Sequence, residues 1–261
     1  MDCPVCGAKF CVSHFTVWWN PDKFDWKTQS AALAAFCKDC FHIWWNPDKY
    51  NWEEYSWSLA LHCSEFFYDW WDPNKYDWQH GSCELVRYCS DYFDTWWDPS
   101  KFDWNLCSRD LARYCPQYFD KWWDPTKFNW QDSWSLAKYC SEYLTKWWNP
   151  DKFNWSHGSY DLAKRCAKHF DFWWDPDKYN WTNCSWTLAT YCYQHFFKWW
   201  NPDKYNWQDS WALAKYCCQH FHVWWNPDKF NPDDYSYLKL YCSAYKHVWE
   251  QDVKLRQLLK C

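Results

Sequence analysis

The chain has eighteen cysteines in 261 residues, and these are the first place to look for chemistry. Cys3-Pro4-Val5-Cys6-Gly7 forms a C-P-x-C-G pattern, and Cys37-Lys38-Asp39-Cys40 supplies a second C-x-x-C. Four thiolates suit tetrahedral zinc, and a filled four-ligand shell leaves no open position for water or substrate, so the ion would be structural. The expectation is one structural zinc on Cys3, Cys6, Cys37 and Cys40. A more local set, Cys3, Cys6, Cys11 and His14, competes with it. Three later pairs, Cys166/His169, Cys192/His195 and Cys217/His220, repeat a C-x-x-H spacing; the same column holds Tyr or Phe elsewhere, which favours packing over ligation.

A second chemical feature is a row of lysines: Lys23, Lys49, Lys75, Lys101, Lys127, Lys152, Lys178, Lys204 and Lys229. One reading is a stacked row of ion pairs, each stem lying over a Trp. The other is a basic, aromatic-lined stripe following single-stranded nucleic acid. Neighbouring carboxylates, such as Asp22, Asp48 and Asp177, would repel phosphate and favour the first. No nucleophile stands beside a base outside the repeated columns, and no Gly-rich phosphate loop is present, so no enzyme and no small-molecule substrate are expected.

The elements that must position these residues form a tandem repeat. Trp-Trp pairs start at Trp18, Trp44, Trp70, Trp96, Trp122, Trp147, Trp173, Trp199 and Trp224, nine copies at a period of 26 broken by single-residue deletions. Each reads approximately W-W-[ND]-P-x-K-[FY]-[ND]-W, then S-W-x-L-A-x-Y-C, then a Phe-containing segment. Asn or Asp before Pro predicts a capped single turn, too short to be a helix by itself, and the Ser of the second segment predicts the N-cap of a helix. Pro116 directly after Cys115 argues against one continuous helix. The pattern therefore predicts two short helices per repeat, Trp57–His62 and Ser64–Trp70 in the second copy, joined at the Cys. The recurring Cys column, from Cys37 to Cys242, reads as small buried side chains at that junction.

The fold expected is all-α: an α-solenoid of nine 25–26-residue helical repeats, with an N-terminal zinc-stabilised cap and a C-terminal amphipathic capping helix. The divisions are residues 1–17 for the knuckle, 18–247 for the array and 248–261 for the capping helix. In the last, Val248, Leu255, Leu258 and Leu259 would cover the final repeat. The chain is rich in aromatics, with 31 Trp, 20 Tyr and 18 Phe against 3 Gly, which excludes disordered and collagen-like classes. No spanning segment and no basic leader are seen, so no membrane association and a reducing intracellular compartment are expected, with most cysteines as thiols or metal ligands. The net charge of −5 gives nucleic acid no overall attraction.

The C-P-x-C-G knuckle with ligands in a following helical turn resembles the treble-clef zinc fingers, over residues 3–40 only. The segment Asn201-Pro202-Asp203-Lys204-Tyr205-Asn206-Trp207 looks like the N-P-D-K-x-W short tandem repeats of large DNA viruses. That likeness implies a non-enzymatic viral or architectural component. It covers about seven residues per copy and departs at the Trp-Trp pair and the Tyr-Cys step.

The resulting expectation is a non-enzymatic scaffold or protein-interaction module, binding a protein partner or copies of itself. Its partner-binding rim would be the residues that vary after each single Trp: Glu53, Glu54 and Tyr55; Gln79 and His80; Asn105 and Leu106; Ser156 and His157. The alternative is a single-stranded nucleic-acid-binding solenoid using the Lys column.

Overall fold

The computed structural model describes residues 2–259, with side chains through Lys254. Its contacts divide the chain into two compact units, residues 1–129 and 130–261, each a stack of helical repeats. Among the described residues the only extended pairing is an isolated antiparallel bridge between Asp2 and Lys9. No helix among them is long and apolar enough to cross a membrane.

The second repeat shows the plan. An 11-residue helix runs Trp52–His62, with the Asn51 side chain accepting from the Glu54 N–H. The chain breaks at Cys63 (φ −122°, ψ 28°), continues as a 3-10 turn Ser64–Phe66, and ends in a four-residue helix Phe67–Trp70. Two helices joined at the Cys were expected and are found. The long helix, however, begins five residues earlier than the Ser position suggests.

The reason is that Ser56 is not a cap. It lies fully buried in the second turn, and its Oγ accepts a hydrogen bond from the Asp77 N–H of the next repeat at 2.9 Å. Equivalent serines, such as Ser30 and Ser159, also donate to the Trp carbonyl four residues back, at 2.5 and 2.7 Å. The Ser column therefore ties repeats together. Asn-Pro opens the single turn expected of it: the Asn46 Oδ1 accepts from the N–H groups of Asp48 and Lys49, at 3.0 and 3.2 Å.

Single-residue deletions are absorbed at one place. A 3-10 turn uses 3.0 residues where an α turn uses 3.6. In the shortened repeats the first turn is 3-10, at Trp130–Asp132, Trp207–Asp209 and Pro232–Asp234, and the α-helix starts late, at Trp134, Ser210 and Tyr235.

Within each unit the long helices of successive repeats pack side by side. Leu and Cys of the long-helix segments and the first Trp of each pair are buried almost completely, as are the Ala and Phe of most repeats, with Val86 and Leu144 in those places in two of them. The second Trp is half-buried and stacks on that Phe, as Trp45 does on Phe41 at 5.3 Å between centroids. Column cysteines within each unit point their thiols at a carbonyl of the preceding repeat, as Cys63 does at Ala34 (3.8 Å) and Cys192 at Ala163 (3.6 Å). Burial pushes these thiols up to about 12 at Cys89, Cys115 and Cys192, which keeps them protonated donors.

The final helix spans Lys246–Leu259. Trp249 near its start is 3% exposed and donates its Nε1–H to the Cys242 carbonyl at 3.1 Å, the bond made by the first Trp of every pair. The final helix thus opens on the same Trp–carbonyl bond that closes each repeat. Val248 is half-buried; the side chains of Leu255, Leu258 and Leu259 lie outside the described residues.

Candidate functional site

The N-terminal knuckle is a small hairpin. The Cys3 N–H donates to the Ala8 carbonyl at 2.9 Å and the Gly7 N–H to the Cys3 carbonyl at 2.8 Å. Gly7 turns the chain with φ 73°, a left-handed conformation that a side chain resists. Phe10, at φ 51°, holds the rarer left-handed state of a bulky residue. Its ring is fixed by stacking on Phe36 at 5.8 Å and by edge contacts with Trp18 and Phe24.

This hairpin brings Cys3 and Cys6 over the turn that carries Cys11 and His14. One ligand atom from each of the four lies within 4.8 Å of the others. The Cys6 and Cys11 sulfurs are 3.4 Å apart, and the Cys11 sulfur is 3.4 Å from His14 Nδ1. Ligands on a tetrahedron with metal–sulfur bonds of about 2.3 Å stand roughly 3.5–3.8 Å from one another, so the cluster could hold a metal ion. Cys3 is 2% exposed and Cys6 faces solvent.

The electrostatics are those of crowded thiols. Burial raises Cys3, but N–H groups of Cys6 and Val5 and the thiols of Cys6 and Cys11 outweigh it and hold Cys3 below an ordinary thiol. The Ala8 N–H lowers Cys6, yet the neighbouring Cys11 and Cys3 sulfurs lift it above the ordinary value. Two adjacent thiolates repel unless a cation sits between them.

The set first expected, Cys3, Cys6, Cys37 and Cys40, is not brought together; the competing local set is. Cys37 is a column cysteine. Its thiol points to the Phe10 carbonyl at 3.7 Å, as its counterparts point to the preceding repeat, and burial pushes it up to about 12. Cys40 is partly buried, raised by desolvation and by Asp39. Its column is a ring-stacking position: Phe66 lies 4.5 Å over Phe41, Tyr92 4.5 Å over Phe67, and His220 4.5 Å over Phe196. The C-x-x-H histidines His195 and His220 are thus stacked rings. Register was the missed signal: Cys11 and His14 stand 26 residues before Cys37 and Cys40, so they are the same columns one repeat earlier.

The rim residues are helical first turns rather than loops. Glu53, Glu54, Gln79, His80, Asn105, Leu106, Ser156 and His157 are exposed, and Tyr55 is half-buried. Glu53, Glu54, Trp57 and His80 line a cleft of about 410 Å³, where His80 Nδ1 lies 2.6 Å from the Asp77 carboxylate.

The Lys column is engaged with the preceding repeat. Lys49 and Lys204 reach the carboxylates of Asp22 and Asp177 at 2.7 Å, and also the carbonyls of Pro21 and Pro176. Lys75 and Lys101 lie 5.9 Å over the Trp52 and Trp78 rings.

One pair of cysteines is an exception to the expected thiols. Cys83 and Cys107 form a disulfide between the adjacent long helices Trp78–Tyr88 and Trp104–Tyr114. Neither belongs to the Cys column. No family model, curated protein or solved structure matches the chain.

Proposed function

We propose that the chain is a non-enzymatic helical-repeat scaffold whose N-terminal face is closed by a structural zinc ion and whose rim binds a protein partner. The observation behind the rim is that the residues changing most between copies fall on exposed first turns of otherwise uniform long helices. A uniform backbone carrying a variable edge suits a partner read along several repeats.

The Cys3/Cys6/Cys11/His14 cluster supports zinc, because three sulfurs and one imidazole are a usual structural zinc set. Its role follows from position. Cys11 and His14 hold the register of Cys37 and Cys40, and the segment that leads from the knuckle supplies the Phe10 carbonyl to Cys37 as a preceding repeat does to later column cysteines. The rival reading, nucleic acid along the Lys column, loses support from lysines already spent on carboxylates, carbonyls and Trp faces.

Copurification of the tagged chain tests the rim, run beside a variant with Glu53, Glu54 and His80 changed to Ala. A partner held by the intact chain and released by the variant supports the reading. Equal retention by both overturns it for this cleft, and sizing in solution shows whether the partner is a second copy.

A further inference from the structure

The outward face of the long helices in residues 130–261 carries a feature that neither the zinc cap nor the rim uses. The position after the buried Ser holds Trp134, Tyr160, Trp186, Trp211 and Tyr237 in successive repeats, all half-buried. From Tyr160 onward the rings form a ladder. Centroids are 5.8 Å apart from Tyr160 to Trp186, 6.0 Å from Trp186 to Trp211 and 5.8 Å from Trp211 to Tyr237, with tilts of 36–50°.

Cations flank the ladder, over its rings or over tyrosines one turn further along the same helices. Lys138 lies 5.5 Å over Trp134, and Lys215 lies 5.0 Å over Tyr216. Lys164 lies 5.8 Å over Tyr191 and donates to the Tyr160 hydroxyl at 2.8 Å. Arg165 is exposed beside them. None of these four makes an ion pair among the described residues. Buried carboxylates adjoin the strip: Asp161, which feels the charges of Lys138, Arg165 and Lys164, and Asp234, which accepts from the Trp211 N–H at 2.8 Å; Asp209 is partly buried.

The fold does not require aromatics here. In residues 1–129 the same column holds Ala31, Trp57, Cys83 and Arg109. A cationic strip of half-buried rings, in a chain of net charge −5, is thus a local departure from the repeat.

We infer that this strip binds single-stranded nucleic acid, with bases stacked on the ladder rings and phosphates against Lys138, Lys164, Arg165 and Lys215. Charge complementarity requires an anionic partner, and the rings require one that offers flat π faces. A single strand offers both, whereas an acidic peptide offers only charge and a duplex hides its bases. Admitting a base between two rings would need about 7 Å, twice the spacing of stacked bases. The rings are closer than that, so bases lie over their outer faces, roughly four nucleotides for four rings.

The test is fluorescence anisotropy of labelled oligo(dT) and oligo(U) with the full chain at about 50 mM salt. Binding should weaken as salt rises. Trp211→Ala should reduce affinity roughly five- to hundred-fold, the worth of one base–aromatic stack. Trp211→Phe should keep most of it, and Lys164→Glu should reduce it and flatten the salt dependence. Thermal melts confirm that each variant is folded; Ala31 already shows that the column accepts Ala. No binding, unchanged affinity in Trp211→Ala, or displacement of the oligonucleotide by an equal concentration of polyglutamate would each overturn the inference. This strip and the Glu53/Glu54 rim stand on different residues, so either can fail alone.

Discussion

The indole Nε1–H of Trp44 donates to the backbone carbonyl of Cys37 at 2.8 Å, spanning the junction between the long and short helices. The same bond, seven residues back, runs from Trp18 to Cys11 at the start and from Trp249 to Cys242 at the end. The carbonyl it satisfies lies where the long helix stops, at a residue with φ −121°. The first Trp of each pair is thus a clasp that holds the bend of every unit, and both ends of the chain are built from the same clasp.

Removing one clasp should be costly. Trp122 is 1% exposed and reaches the Cys115 carbonyl at 2.9 Å. Trp122→Ala should lose about 3–5 kcal/mol through the cavity it leaves. Trp122→Phe keeps much of the ring and leaves the Cys115 carbonyl still accepting from the Tyr118 N–H at 3.0 Å, so losing the indole bond should add about 0.5–1.5 kcal/mol. Urea denaturation followed by circular dichroism measures both. A Phe variant as stable as the parent would mean the bond contributes nothing beyond packing.

Metal content separates the two ligand sets. Zinc per chain, measured by mass spectrometry after purification, should fall in Cys6→Ser and Cys11→Ser and stay unchanged in Cys40→Ser. Chelation should loosen the first repeat, read as faster amide exchange around Phe15 and Trp18, both buried under the cap. Because bound thiols must lose their protons, metal should also dissociate as pH falls. Loss of zinc in Cys40→Ser with retention in Cys11→Ser would restore the set the structure separates.

Much of this was legible from spacing, because a repeat makes each column its own control. The period, the break at the Cys, the packing role of His195 and the engaged lysines all follow from asking what a whole column has in common. Two kinds of fact were hidden. Ser56 looks like an N-cap by type, and only its burial and its bond to Asp77 reveal that it links repeats. The ends were misread because the motif there lacks its Trp pair: Cys11 and His14 precede the first pair, and Trp249 stands alone. Aligning outward by 25 or 26 residues would have placed all three.

Ion pairs of the Lys column should matter modestly and in one pH direction. Hydrogen bonding from Lys204 holds the Asp177 carboxyl below its ordinary value, and Lys49 does the same to Asp22. A carboxyl depressed in the folded state stabilises it above the unfolded value, about pH 4, and that contribution disappears as pH falls through the lowered one. Both carboxylates are highly exposed, so solvent screens the pairs. Lys204→Met should therefore shift the urea midpoint slightly at pH 7 and low salt, with the ion-pair part of the difference shrinking at 1 M salt and as pH falls through the lowered Asp177 value. A difference that survives both conditions would assign the effect to the stem and to the Pro176 carbonyl bond, neither of which depends on the Asp177 charge.

The Cys83–Cys107 bond should make residues 1–129 sensitive to reductant. It joins two long helices whose Cα atoms are 5.1 Å apart at that point and closes a loop of 24 residues. Cross-links of this kind stabilise by about 2–4 kcal/mol, chiefly by restricting the unfolded chain. The Arg87–Asp110 pair, at 2.6 Å between the same helices, remains when the bond is cut, so the helices should stay docked. Adding dithiothreitol should lower the urea midpoint of the parent. Cys83→Ser should start at the lower midpoint and not respond, and a tryptic digest under non-reducing conditions should yield the linked 83/107 peptide only from the parent. Identical midpoints with and without reductant, alongside a confirmed link, would show that the packing around Arg87 and Asp110 already supplies the restraint.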